Sequence, residues 1–203
     1  MYHISFAAGQ QTPDPLTRAY TFRYTQTPEQ TQYEDCIGSV ANPDHPEGYD
    51  NISFLTPEAF GPGVKATLRC AFEGLGCPEI IIVPETENCD DGAVRYGACF
   101  EVVLWKNGFN VWRHYRDEGR CHWHRRLGLT YPVAEHEKHT LTVTYQEKYM
   151  VITVDGFTTT LRTDDLPEKY HVGITVCEGI ARVHSLSIEP ADGGYDKENG
   201  WDE

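Results

Sequence analysis

Between residues 64 and 190 the chain is a succession of short runs of alternating apolar and polar residues, separated by turn signals rich in Gly, Asn, Asp or Glu. An amphipathic helix needs apolar residues every three to four positions, and no long stretch has that period. Alternation at period two sends successive side chains to opposite faces of a strand. Such a chain must bury one face of each strand against another sheet, so it folds as a sandwich or a barrel.

The alternation assigns faces. In VKATLRCAF (64–72), Val64, Ala66, Leu68, Cys70 and Phe72 share one side; Lys65, Thr67, Arg69 and Glu73 take the other. EIIIVP (79–84) reads as a buried strand. ACFEVVLW (98–105) and FNVWRHY (109–115) flank a turn, and RCHWHRRL (120–127) follows Asp117-Glu118-Gly119. HTLTVTYQ (139–146) pairs with YMVITVDGF (149–157), and YHVGITVC (170–177) with ARVHSLSIEP (181–190). The first sixty residues are irregular, with short strands expected at YTFRYT (20–25) and ISFL (52–55) and a turn-dense loop at ANPDHPEGYDN (41–51). A single helical turn fits TPEAF or TDDLPEKY. No repeat or linker precedes about residue 190. Residues 1–190 are therefore expected to form one β-sandwich domain, and residues 191–203 an acidic flexible tail.

Composition narrows the partners. A chain of 203 residues buries a core without disulfide staples. A formal net charge of −14 repels phosphate backbones, which argues against nucleic acid. No apolar stretch has membrane-spanning length, and MYHISFAAGQ lacks the basic and apolar regions of a secretory signal, so a cytoplasmic location is expected. The seven cysteines are odd in number and contain no Cys-x-x-Cys, so they are expected as reduced and mostly buried thiols.

The C-terminal stretches HTLTVTYQEKYMVITVDGF and DDLPEKYHVGITVCEGIARVHSLSIEP resemble the concanavalin A-like lectin/glucanase superfamily, near its laminin-G-like and 3-keto-disaccharide-hydrolase-like branches. The resemblance covers about residues 60–190. It implies an all-β, two-sheet antiparallel jelly-roll sandwich with carbohydrate held on a concave sheet. Two departures matter. The glucanase Glu-x-Asp-x-Glu strand is absent, since FEVVLW supplies only Glu101. The galectin His-x-Asn-x-Arg pattern is absent too, although Asn110 and Arg113 lie close in sequence.

The hairpin through WKNGFN carries the chemistry. Asn107-Gly108 is a strong type I′ turn signal. With those two residues as the loop, Trp105 faces Asn110, Val103 faces Trp112, and Glu101 faces His114. Phe100, Val102, Leu104, Phe109 and Val111 then form the core side. Glu101, Val103, Trp105, Asn110, Trp112 and His114 form the other. Indoles stack on the apolar face of a sugar, while amide, acid and imidazole give its hydroxyls direction. A three-residue loop at 117–119 with Gly119 left-handed sets His114 against His122 and Trp112 against His124, with Arg126 beside them. A two- or four-residue loop instead puts Trp123 and Arg125 on the polar face.

Three readings of this cluster stay open. Glu101, His114, His122 and His124 would ligate a divalent metal. Alternatively Glu101 and His114 would be a proton-transfer pair of a glycoside hydrolase or lyase, with Trp105, Trp112, Asn110 and Arg126 binding substrate. In the third, the face is a lectin-like surface that only hydrogen-bonds hydroxyls, or a solvated sheet face with no ligand; as a non-catalytic subunit the chain would dock a second copy or a partner there. His171 and Glu178 are weaker candidates at the cleft. Asp155-Gly156 is a turn without a catalytic role, and Asp90-Asp91-Gly92 is a turn before it is a calcium loop.

Overall fold

The computed structural model describes residues 1–7, 14–22, 31–39, 51–177 and 179–191. It is all-β, with seventeen strands in two sheets and no helix among the described residues. The first sheet runs β15 (Phe157–Arg162), β14 (Tyr149–Val154), β13 (His139–Tyr145), β6 (Val64–Glu73), β17 (Ile180–Pro190), β4 (Ile37–Gly38) and β3 (Thr31–Gln32), with β1 (Tyr2–Ser5) also paired to β17. The second runs β12 (Arg120–Thr130), β11 (Gly108–Asp117), β10 (Cys99–Trp105), β7 (Cys77–Val83), β16 (His171–Cys177), β5 (Asn51–Leu55), β2 (Thr17–Thr21), β9 (Val94–Tyr96) and β8 (Glu87–Asn88). Pairing is antiparallel throughout except between β2 and β9.

The core lies between the sheets. Leu68, Phe72, Val143 and Ile152 of the first pack in one buried cluster with Ile80, Val102, Phe109 and Ile174 of the second. These are the apolar positions of the alternation, and β-branched side chains suit a pleated surface. The outer face of the first sheet is polar, with Thr67 against Thr142 (3.2 Å) and Thr153 against Thr158 (2.9 Å).

Two hairpins turn on paired left-handed residues, Glu118-Gly119 (φ 47° and 77°) and Asp155-Gly156 (φ 48° and 90°). Neither TPEAF nor TDDLPEKY is helical. The strand expected at 20–25 begins earlier, at Thr17; residues 23–25, most of the 41–51 loop and the tail beyond 191 lie outside the described residues. All seven cysteines are free thiols, five of them buried.

Candidate functional site

The β10–β11 hairpin places the chemistry on the side of the second sheet turned away from the core. Its Cα partners are Glu101 with Trp112, Val103 with Asn110, Cys99 with His114, and Trp105 with Gly108. The turn is thus Lys106-Asn107, one residue earlier than Asn107-Gly108, and the pairing register moves by two. Gly108 is fixed by β12: a Cβ there would lie 2.0 Å from the Leu129 carbonyl oxygen, and its φ is +134°. A slip of two residues preserves faces. Glu101, Val103, Trp105, Asn110, Trp112 and His114 therefore share one side.

The next hairpin differs by one residue, and that flips faces. The turn is Glu118-Gly119 alone, so His114 pairs with Trp123 and Trp112 with Arg125. His122 and His124 turn to the opposite side. There they pack on the Tyr115 ring, His122 stacked at 5.2 Å and His124 edge-on at 5.5 Å. Neither enters the hydrophobic core, because this end of the ribbon projects past it; His124 is exposed and His122 half-buried. The four-ligand set Glu101, His114, His122 and His124 is not assembled. A register shift between Val111 and Trp112 returns Leu127 and Leu129 to the core side. Arg126 falls at this bulge and reaches Asp165 Oδ2 (2.9 Å) and Thr163 Oγ1 (3.2 Å), away from the indoles. Arg125 takes the place expected for Arg126.

Around Trp112 the partners converge. The Arg125 guanidinium sits 5.9 Å from its ring. The same side chain crosses Gly128, where an added Cβ would come within 3.3 Å of Arg125 Nε and 3.0 Å of Asn110 Oδ1. Gly128 therefore leaves room for Arg125 and Asn110 to meet. Trp105 and Trp112 pack on a small apolar cluster of Cys77, Val103 and Cys177. Trp105 Nε1 is buried without a hydrogen-bond partner among the described residues, and Trp123 is 50% exposed.

Deeper in the face the groups are buried and polar. His114 Nε2 lies 2.6 Å from Glu101 Oε2, and the Cys99 thiol points to Glu101 Oε1 at 3.9 Å. On the neighbouring strand the Cys177 thiol donates to Glu79 Oε1 at 3.1 Å. Ser53 lies within 3.2 Å of the Tyr96 hydroxyl and bonds Thr175. Burial, reinforced by the nearby Cys99 and Glu101, holds the Tyr96 phenol well above its usual pKa, so it stays protonated. A cavity of about 290 Å³ opens further along the sheet, lined by Thr17, Leu55, Thr56 and His171 among others. His171 there is tied to the Thr56 carbonyl oxygen at 2.8 Å; Glu178 lies outside the described residues.

Sequence reasoning missed Cys99 and Glu79 as site residues, and placed Trp123 and Arg125 on this face only through the alternative loop length. Cys99 stands two before Glu101 and shares its face by simple alternation. Glu79 is the one charged residue of EIIIVP. Trp123 and Arg125 depend on the loop length at Gly119.

No family model matches the sequence, and no curated protein does. Solved structures do match in shape. An endo-acting O-glycanase from the human gut microbiota, described as initiating mucin breakdown, superposes with a TM-score of 0.61 at 12% identity, covering 95% of this chain and 99% of that one. The carbohydrate-binding module CBM66 of Bacillus subtilis gives 0.57 at 10% identity over 79% and 90% of the two chains. Rv0315 of Mycobacterium tuberculosis, described as an immunostimulatory antigen and pseudo β-1,3-glucanase, gives 0.55 at 13% identity over 94% and 98%. The fold is a concanavalin A-like jelly roll. Within it, one neighbour cleaves glycans, one binds carbohydrate, and one is called a pseudo-enzyme. The shared fold does not by itself fix a function.

Proposed function

We propose that the protein binds carbohydrate on the outer face of its second sheet. Trp112 and Trp105 supply stacking surfaces, and Asn110 and Arg125 hydrogen-bond hydroxyls or a carboxylate. The observation that carries this reading is the convergence of Arg125, Asn110 and Trp112 beside a second, half-buried indole. Its support from the fold is a carbohydrate-binding module and a glycanase built on the same jelly roll.

Turnover, in this proposal, belongs to Glu101 and His114. They lie at proton-transfer distance in a buried setting next to the indoles, which suits cleavage or elimination of a glycoside. The glucanase strand pattern offers no alternative, since Cys99 and Val103 stand at the two positions flanking Glu101 on its face. A cytoplasmic location is part of the same proposal, supported by seven thiols without a disulfide.

The test is a glycan-array screen of the full chain, followed by calorimetry on the best ligand. Trp112→Ala should weaken binding by about 2 kcal/mol, roughly thirtyfold, while the far-ultraviolet spectrum stays β-rich. Undiminished binding by Trp112→Ala, or no carbohydrate ligand at all, would reject the reading.

A further inference from the structure

We infer that Cys99, Glu101 and His114 form a site for one divalent transition metal ion, with zinc the best chemical match. The inference does not depend on the indole stacking surfaces proposed for sugar; it makes Glu101 and His114 ligands of an ion in place of a metal-free proton-transfer pair. Each residue offers one donor atom, and the three atoms lie within 4.8 Å of one another. Thiolate, imidazole and carboxylate are the three side-chain ligand classes of zinc, and three protein ligands leave a fourth position for water or another ligand. All three residues are buried and sit on regular ladder positions: Cys99 and Glu101 alternate along β10, and His114 pairs with Cys99 across β11. A site held by a sheet is positioned more firmly than one on a loop.

A second observation concerns aim. His114 Nε2 and Glu101 Oε2 are 2.6 Å apart, yet Nε2 has no partner at hydrogen-bonding angles. The oxygen therefore lies off the N–H direction of the ring. Two groups built only to bond each other would point along the line between them. These approach side by side, as donors do when they converge on a third point.

The other triad of this kind among the described residues, Asp35, Cys36 and His184, fails the same reasoning. Lys138 Nζ already occupies the Asp35 carboxylate at 2.8 Å, and that carboxylate is exposed. A cation there would displace an ammonium instead of filling a prepared position.

Full-length protein made without a histidine tag, reduced and stripped with chelator, should take up one equivalent of Co²⁺. It should show a near-ultraviolet thiolate-to-cobalt band that Zn²⁺ abolishes by displacement. Cys99→Ala and His114→Ala should each weaken uptake more than about 100-fold, beyond the range of outer-shell changes. The double variant His122→Ala/His124→Ala should keep the band, which separates the site from adventitious binding at the exposed His-x-His. Should either ligand variant fail to fold, the wild-type spectrum decides. No stoichiometric uptake, uptake without a thiolate band, or a band that survives Cys99→Ala would overturn the inference. Trp112→Ala should retain the metal while losing sugar affinity, so failure of one reading is distinguishable from failure of the other.

Discussion

Two histidine–carboxylate pairs, one on each sheet, have the same 2.6 Å contact and opposite surroundings. On the first sheet His139 is fully engaged: Nδ1 meets Asp155 Oδ2 at 2.6 Å and Nε2 meets the Ala134 carbonyl oxygen at 2.7 Å. The other oxygen of Asp155 accepts the Thr140 amide at 2.8 Å, and the imidazole stacks on Phe72 at 5.8 Å. Asp155 also forms the left-handed corner of its hairpin. On the second sheet, Glu101 and His114 touch without hydrogen-bonding angles; the Cys99 thiol points at Glu101, and Trp112 is the cross-strand partner of Glu101. Distance alone does not separate a structural pair from a functional one. What separates them is whether every buried donor and acceptor is used.

The largest effect should come from breaking the closed pair. His139→Ala removes a buried ring stacked on Phe72 and leaves the Ala134 carbonyl unpartnered beside a void, while the half-exposed Asp155 keeps its Thr140 amide, at a cost of about 3 kcal/mol in urea denaturation. Glu101→Gln removes a buried charge whose pairing is incomplete and keeps the shape, so stability should change by less than about 1 kcal/mol and can rise. Equal losses for both variants would mean that both pairs are structural.

The next effect is on ligand affinity. Trp112→Ala should cost about 2 kcal/mol of binding, a hot-spot value for a half-buried aromatic, with no comparable loss of folding stability. A smaller effect separates the sheets by pH. Burial lowers the His184 pKa from its usual 6.5, so the folded state resists the proton that the unfolded chain accepts. Stability should then fall as pH drops below about 6.5, and His184→Gln should remove that step. Glu73 is held below its usual 4.5 by its hydrogen bond to Arg182, and Asp35 below 3.8 by Lys138. Their contributions are present above those values and are lost as pH falls through and below them. All three groups belong to the first sheet or its flank, so hydrogen exchange should loosen β4 and β17 in acid before β10 and β11. The smallest effect is that of His122→Ala and His124→Ala, each within about 0.5 kcal/mol in stability and neutral for sugar binding.

How much of this was readable before the coordinates depended on parity. The core side of β6, β10 and β11 followed from alternation, and so did the shared face of Glu101, Asn110, Trp112 and His114. The Lys106-Asn107 turn moved the register by two, which no face assignment feels. At the second turn the three-residue loop reads better from sequence because it keeps two imidazoles out of the core, but Glu118 takes a left-handed conformation that glutamate seldom adopts and closes a two-residue turn. One residue of difference exchanged His122 and His124 for Trp123 and Arg125. The bulge at Arg126 was hidden for a related reason. The alternation of 120–125 and that of 127–130 are out of phase, and only pairing with β11 shows where the extra residue sits. The role of Asp155 was equally hidden, since its partner His139 lies sixteen residues away across a hairpin.

The most direct measurement follows the indole N–H signals of the four tryptophans by ¹⁵N-edited NMR while the best array ligand is added. Saturable shifts of the Trp105 and Trp112 signals, with the Asn110 side-chain amide moving at the same ligand concentration, are the expected result. Indole signals that stay fixed while backbone amides around Thr56 and His171 move would place the ligand in the cavity lined by those residues and contradict the site described.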